Sequence, residues 1–255
     1  MTIRLRTRAH VFWRCLFLQA AWNRRGMQNL GFAYAIEPAL DALYADPARR
    51  EEALARHLGF FNCHPYMAAA ILGGAIHHEE LVAAGQEPGT APRSYKATLQ
   101  GPLAAVGDGF FWTALRPFFG AMAALGALLA GWPAVVVAVA LYNIVQITLR
   151  ALLFRAGYQQ GDAVVGLIAQ LALPRMAERL RAAGVALCGA AAAAVALRAG
   201  GMLPGTEQAA ILVVAGAAGA GYLALARGTP LLPAAYLVAL AGTLAAAVTG
   251  WDWKP

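Results

Sequence analysis

The 255-residue sequence is short of charge. Only 13% of its residues are Asp, Glu, Lys or Arg, against roughly 25% in a typical soluble domain. With 60% hydrophobic residues and a mean hydropathy of +0.56, this scarcity excludes an ordinary soluble globular protein and leaves a membrane protein. Cysteine is also sparse. Cys15, Cys63 and Cys188 form no Cys-x-x-Cys pair and no even set, so a disulfide framework is excluded and free thiols in a reducing or lipid setting are expected. No basic patch alternates with aromatic residues, so the net charge of +7 does not point to nucleic acid. Arginines at membrane edges account for the excess. The basic N-terminus lacks a small-residue cleavage site and Arg14 interrupts its apolar run, so no signal peptide is expected. There is no convincing short-period repeat.

The charges that exist are unevenly placed. Residues 1–100 carry 11 of the 20 Lys+Arg, eight of the 13 Asp+Glu and all five His. The pattern predicts a helix over 8–30 with arginines at both ends, too punctuated to span a bilayer and suited to the interface plane. Asp46 and Pro47 read as an N-cap and a first helical residue, opening a helix whose Leu54, Leu58 and Phe61 form one apolar stripe. The run NCHPYMAAAILGGAIHHEELVAAG, residues 62–85, predicts a further helix opened by Pro65 and closed by Gly85. Its apolar core, Tyr66 to Ile76, falls well short of the roughly 20 residues of a spanning helix. It suits one arm of a re-entrant hairpin buried by protein. Residues 85–96 read as a polar loop.

Beyond Lys96 the charges thin out. Pro117 to Leu149 is free of charge and is split by Gly131-Trp132-Pro133, either a break between short helices or a tight join between two crossings. Arginines return over 150–181, which reads as an aqueous segment. The apolar stretches 182–197, 208–226 and 229–250 follow, rich in small residues that permit close helix packing in lipid. The terminal Trp251 and Trp253 suit an interface. The fold class expected is all-α: a polytopic integral membrane protein with re-entrant or broken helices. Its three regions, 1–100, 101–181 and 182–255, form one integrated membrane domain. The arginine-rich segments 1–56 and 150–181 are expected on the cytoplasmic side.

Several stretches carry candidate chemistry. In LQGPLAAVGDGFFW, residues 99–112, Asp108 has no charged neighbour within seven residues. Gly101-Pro102 and Gly107-Asp108-Gly109 are expected to break the helix and free backbone groups, and an intramembrane carboxylate is a functional-site candidate. The structural alternative is an Asp108–Arg116 pair that holds the break. In RHLGFFNCHP, residues 56–65, Asn62 and His64 read either as helix caps or as ligands for sugar hydroxyls, since each can donate and accept. Trp112 offers a ring to stack on a pyranose face. The run His77-His78-Glu79-Glu80 lacks the His-Glu-x-x-His spacing of a metal-binding helix face; it reads as a solvated helix end, a subunit or substrate contact, or a metal site. WNRRGMQNLGF, residues 22–32, is dense in amides and guanidinium groups, including Gln28 and Asn29.

QAAWNRRGMQNLGFAYAIEPAL, RHLGFFNCHPYMAAAILGGAIHHEE, SYKATLQGPLAAVGDGFFWTALRP, YNIVQITLR and GYQQGDAVV occur here in the order and spacing of one family. Over roughly residues 8–170 the chain resembles the IID component of mannose/fructose/sorbose-type phosphotransferase systems. It departs from that family's usual pattern at Cys63, at His77 and His78, at Gln100 and over Arg24-Arg25-Gly26. The resemblance implies a membrane subunit of the bacterial cytoplasmic membrane that works with a IIC partner, in oligomers of IIC–IID units, to pass a hexose-type sugar inward. Separate IIA and IIB proteins phosphorylate the sugar, so no catalytic residue, cofactor or metal is expected on this chain. Asn62, His64, Asp108, Trp112 and Arg116 are the residues expected near the sugar path, with Gln28, Asn29, Glu79 and Glu80 as second choices. The rival readings are a non-transporting regulatory or scaffold subunit, and a membrane metalloenzyme using His64, His77, His78 and Glu79.

Overall fold

A computed structural model describes residues 2–200. They form α1 (Leu5–Cys15), α2 (Asn29–Leu43), α3 (Pro47–His57), α4 (Ala68–Ala83), α5 (Ala91–Gly107), a π-helical segment (Asp108–Leu115), α6 (Arg116–Ala130), α7 (Trp132–Gln160), a 3-10 turn (Gly161–Ala163), α8 (Val164–Gln170) and α9 (Leu173–Gly200). Among the described residues the only β-pairing is isolated bridges from Met27 to Asn23 and to Phe61. The all-α expectation holds. Cys15, Cys63 and Cys188 are free thiols, as expected. The segments 208–226 and 229–250 and the terminal tryptophans lie outside the described residues.

One compact unit comprises Met1–Pro117 and Val139–Arg181. Its core is α4, whose residues Ala68 to Ile76 are all buried. α4 packs on α2 and α5, and α1 on α2. Small residues set its approach to α7: a Cβ on Gly73 would strike the Phe154 carbonyl, and one on Gly157 the Ala70 carbonyl. At 16 residues, α4 rises only ~24 Å, less than the ~30 Å hydrocarbon core. A short helix walled by protein on nearly every face agrees with the sequence pattern. Its end is a Schellman motif, with Gly85 at φ +73° and hydrogen bonds from Gly85 N to Val82 O (3.0 Å) and Gln86 N to Leu81 O (2.8 Å).

A second unit contains Phe118–Ala138 and resumes at Ala182. Gly131, at φ +75°, turns α6 into α7. The helices meet so closely beside it that a Cβ on Gly126 would sit 2.8 Å from that of Ala134.

Two stretches, Ala91–Ala130 and Trp132–Ala192, are long and apolar enough to cross a membrane, and only 17% of the most apolar window of each is buried. Valines, leucines and isoleucines from Val136 to Leu152 stand exposed along α7. A surface of that kind fits lipid and not water.

Local chemistry explains the elements. Asp46 caps α3 by accepting from Ala48 N at 3.1 Å. Pro38 inside α2 has no N–H to give the Tyr34 carbonyl. Arg14 Nη1 supplies that hydrogen at 3.0 Å and pairs with Glu37 at 2.7 Å.

Several expectations are corrected. The helix read over 8–30 ends at Cys15, and turns run from Leu16 to Gln28. The stripe Leu54–Leu58–Phe61 does not form: α3 ends at His57, Leu58 is exposed, and the buried face is Ala53 and His57. Pro65 lies in a turn before α4, and residues 91–96 belong to α5, with Pro92 in its first turn. Gly101-Pro102 and Gly107-Asp108-Gly109 do not break the chain. Isolated glycines cost a helix only about 1 kcal/mol each, and the irregularity is absorbed as an eight-residue π-helix from Asp108 to Leu115. The segment opening at Arg150 is not aqueous there. Arg150 is buried and donates to the Cys15 carbonyl at 2.9 Å.

Candidate functional site

The site is built from two loops laced together. The turn before α2 presents Gly26, Met27 and Gln28; the loop after α3 presents Phe61 to Pro65. Gln28 N donates to Phe61 O at 2.9 Å and Phe61 N to Gly26 O at 3.2 Å. The Gln28 side chain continues this short ladder. Its Nε2 donates to the Cys63 carbonyl at 2.8 Å and its Oε1 accepts from Cys63 N at 3.0 Å. Asn29 Nδ2 donates to Leu58 O at 2.6 Å, while its Oδ1 accepts from Asn23 Nδ2 at 2.9 Å. Gln28 and Asn29 therefore spend their amides on holding the loop.

The loop delivers His64 into an aromatic cage. The imidazole is buried, stacked 4.9 Å from Phe111 at 14°, with Trp112 and Tyr66 each edge-on at 5.0 Å. Its Nδ1 accepts from Tyr66 N at 3.2 Å, which puts the proton of the neutral ring on Nε2. That Nε2 is buried and has no hydrogen-bond partner. Burial, then the nearby Arg150 charge, lower the His64 pKa to about 4, so the ring is neutral at pH 7. The cage closes on Gly107, where a Cβ would press on the His64 ring and lie 2.7 Å from Met67 Cγ. His64 does not cap α4, whose N-cap is Met67; its Nδ1 instead closes the preceding turn at Tyr66, and its ring lies beside Trp112.

Around this cage the other candidates divide. Asn62 N donates to Gln100 Oε1 at 3.0 Å, tying the loop to α5, and the residue is exposed. Asp108 is half-buried at the start of the π-helix, and Trp112, one helical turn on, is 45% exposed. Arg116 is exposed. No ion pair joins it to Asp108 among those of the described residues, so the structural pair read as an alternative does not form: a continuous helix carries the two side chains past one another.

Glu79 and Glu80 go elsewhere. The four residues His77 to Glu80 do not make a solvated helix end; each finds its own protein partner. His77 Nδ1 meets Tyr158 O at 3.0 Å and His78 Nδ1 meets Glu87 at 2.8 Å. Glu80 accepts from Ile3 N at 2.8 Å and Tyr158 OH at 2.7 Å. Successive side chains at 100° intervals around α4 reach different neighbours, so the solvated reading is overturned.

Glu79 is the centre of a buried ionic cluster that the sequence reading missed. Its carboxylate accepts from Tyr44 OH (2.6 Å), His57 Nε2 (2.8 Å) and Arg56 Nη1 (3.0 Å). On the far side of the His57 ring lies Lys96 Nζ, which also sits 4.1 Å over the Phe32 ring. Burial alone would raise the Glu79 pKa, but the hydrogen bonds from His57 and Tyr44 and the Arg56 charge hold it below the usual value. Burial, against the pull of the Glu79 hydrogen bond, lowers His57 to about 4. The cluster ties α2, α3, α4 and α5 together. Its signal lay in the helical spacing of Pro92, Tyr95, Lys96, Leu99 and Leu103, all buried on one face of α5.

Residues 2–199 match the family model of the PTS system mannose/fructose/sorbose family IID component. The mannose-specific EIID component of Escherichia coli K12 is 38% identical over 157 residues, 61% of this chain and 56% of that protein. The fructose permease IID component of Bacillus subtilis 168 is 42% identical over 121 residues, 47% and 43% of the two chains. The sorbose-specific EIID component of Lacticaseibacillus casei is 35% identical over 151 residues, 58% and 53%. The chain thus spans about half the length of the curated relatives it matches. Among solved structures, a chain of the mannose transporter ManYZ in complex with microcin E492 superposes with TM-score 0.61 at 34% identity, covering 74% of this chain and 70% of that one. A second membrane protein superposes with TM-score 0.68 at 32% identity and the same coverage.

Proposed function

The chain belongs to the mannose/fructose/sorbose family of phosphotransferase system IID components, and we propose that it is the IID subunit of a sugar permease in the bacterial cytoplasmic membrane, crossing it more than once. With a IIC partner, in an oligomer of IIC–IID units, it forms the path by which a hexose-type sugar enters. IIA and IIB proteins transfer the phosphoryl group, and this chain supplies a path and a surface.

The observation that carries this reading is the His64 cage. A neutral imidazole with an unpartnered, buried Nε2–H is costly, at roughly 1–3 kcal/mol for an unmet donor. It persists where the surrounding structure holds it for something outside the chain. An incoming sugar hydroxyl is an acceptor for that hydrogen. Trp112 provides an apolar ring face beside it, and Asp108 and Asn62 add an acceptor and an amide on the exposed side. Arg116 stands one turn beyond Trp112, at the end of the same irregular helix. Gln28, Asn29, Glu79 and Glu80 act as supports that fix the loop and the short α4 against it.

Uptake of radiolabelled mannose, with fructose and sorbose as comparisons, tests the reading in cells that express IIC, IIA and IIB with or without this chain. Uptake of at least one sugar that requires the chain is the expected result. Assembly with IIC but no uptake of any of the three would make the chain a non-transporting subunit.

A further inference from the structure

We propose that the groove between α1 and α7 is a binding site for one anionic phospholipid, with the phosphate held by Arg8 and Arg155 and an acyl chain laid along the apolar floor. The groove encloses about 460 Å³ and is lined by Leu5, Ala9, Phe12, Ala151 and Phe154 as well as the two arginines. That volume falls in the range of ligand sites, roughly 300–1,000 Å³.

Three observations choose the occupant. The first is charge. Arg14, Arg50 and Arg56 each pair with a carboxylate, whereas neither Arg8 nor Arg155 has an acidic partner among the ion pairs of the described residues. The Arg8 guanidinium lies 4.9 Å over the Tyr158 ring, and its Nε is buried with no hydrogen-bond partner. Tyr158 is itself anchored by its bond to Glu80 at 2.7 Å, so Arg8 is held in place with a donor unspent. Two unpaired guanidinium groups on one groove fit a phosphate, which accepts several hydrogen bonds at once.

The second is depth. The exposed apolar side chains of α7 run through Val139, Leu141, Ile144 and Ile147 to Leu152. Arg155, three residues further, is the next exposed charge on that helix. It therefore marks the edge of the hydrocarbon layer, where lipid phosphates lie. The third is α1 itself, an arginine-bearing helix with Leu5 and Trp13 exposed, which is the composition of an element lying in the headgroup plane. A zwitterionic lipid would bring its own cation against Arg8 and Arg155. A soluble phosphate would leave Phe12 and Phe154 facing water.

This inference rests on membrane residence and not on the sugar path, so uptake can fail while it holds, and the reverse. The test uses the full chain purified in neutral detergent, with dioleoyl-phosphatidylglycerol, dioleoyl-phosphatidylcholine and glycerol 1-phosphate as probes, read by native mass spectrometry and thermal shift. Two arginines near the headgroup layer imply about thirtyfold preferential retention of phosphatidylglycerol. Arg8→Gln with Arg155→Gln should abolish that preference, and Ala151→Trp, which fills the groove and leaves both arginines, should displace the lipid. Equal retention of the two lipids, protection by glycerol 1-phosphate alone, or undiminished retention in Ala151→Trp would overturn the site. So would burial of residue 151 by a co-purified partner subunit with no lipid retained. If the double arginine variant does not fold, Ala151→Trp decides.

Discussion

Lys96 Nζ lies 3.4 Å from His57 Nδ1, on the opposite edge of the ring from the Nε2 that meets Glu79 at 2.8 Å. A neutral imidazole with its hydrogen on Nε2 satisfies both contacts, donating to the carboxylate and accepting from the ammonium. The ring thereby bridges the Glu79 carboxylate and Lys96 across the core. Lys96 also donates to the His57 carbonyl at 3.3 Å. Charge is buried here only because every hydrogen has a place to go.

Removing the central charge should therefore cost much more than a surface ion pair. Glu79→Gln leaves Arg56 only its 3.4 Å pair with the exposed Glu52 and Lys96 buried without the nearby carboxylate, for an expected loss of about 3 kcal/mol. Lys96→Met keeps the apolar contact with Phe32 and removes a positive charge, so its loss should be smaller. Thermal unfolding of the detergent-solubilised variants measures both. Equal small losses would mean that the cluster is not held as described.

Acid should loosen the same region. The pKa of His57 is about 4 in the folded chain, from an ordinary 6.5, and that of His64 is likewise about 4. As the pH falls below about 6.5 the unfolded chain takes up protons that the folded chain refuses, so stability declines toward pH 4. The lowered Glu79 pKa extends the loss on the acid side. His57→Gln should flatten the decline between pH 6.5 and 4. Melting temperatures across that range check the sign.

Two glycines two residues apart should behave oppositely. A Cβ on Gly107 presses on the His64 ring and Met67, whereas one on Gly109 meets nothing within 4 Å. Gly107→Ala should destabilise by about 1–3 kcal/mol through overpacking and lower sugar uptake through the cage. Gly109→Ala should be neutral or slightly stabilising, since alanine favours the helix. Melting temperature and uptake, measured on both variants, separate the two.

Much of this architecture was legible in the residues. Asp46-Pro47 and Gly85 marked helix ends because capping is local chemistry, and the all-helical membrane character followed from composition. The length of α4 and its buried setting followed from a short apolar run between polar ends. What failed was whatever depended on distant partners. Gly101-Pro102 and Gly107-Asp108-Gly109 read as breakers, yet packing of Gly107 on His64 kept the chain helical with a π-helical irregularity. His77-His78-Glu79-Glu80 read as solvated because nothing nearby in sequence announced Tyr44, His57, Tyr158 and Glu87 as their partners. Lys96 follows a Gly/Pro-rich run that reads as a loop, and nothing in that local pattern announces that it is buried on α5. His64 and Trp112 stand out by residue type, but their contact and the unspent Nε2–H that gives the cage its meaning are properties of three-dimensional packing.

The central claim is that the aromatic cage around His64 meets the sugar. The most direct measurement is the concentration dependence of labelled-sugar uptake by the complete IIC–IID complex carrying Trp112→Ala together with Asn62→Ala, with the membrane level and IIC association of each variant measured alongside. Asn62 is exposed and Trp112 half-exposed at the rim of the cage, where its ring packs edge-on against His64, so assembly is measured alongside uptake. The account predicts normal assembly with the half-saturating sugar concentration raised about tenfold, the loss of roughly 1.4 kcal/mol of contact. Unchanged uptake at every sugar concentration by the fully assembled double variant would contradict it.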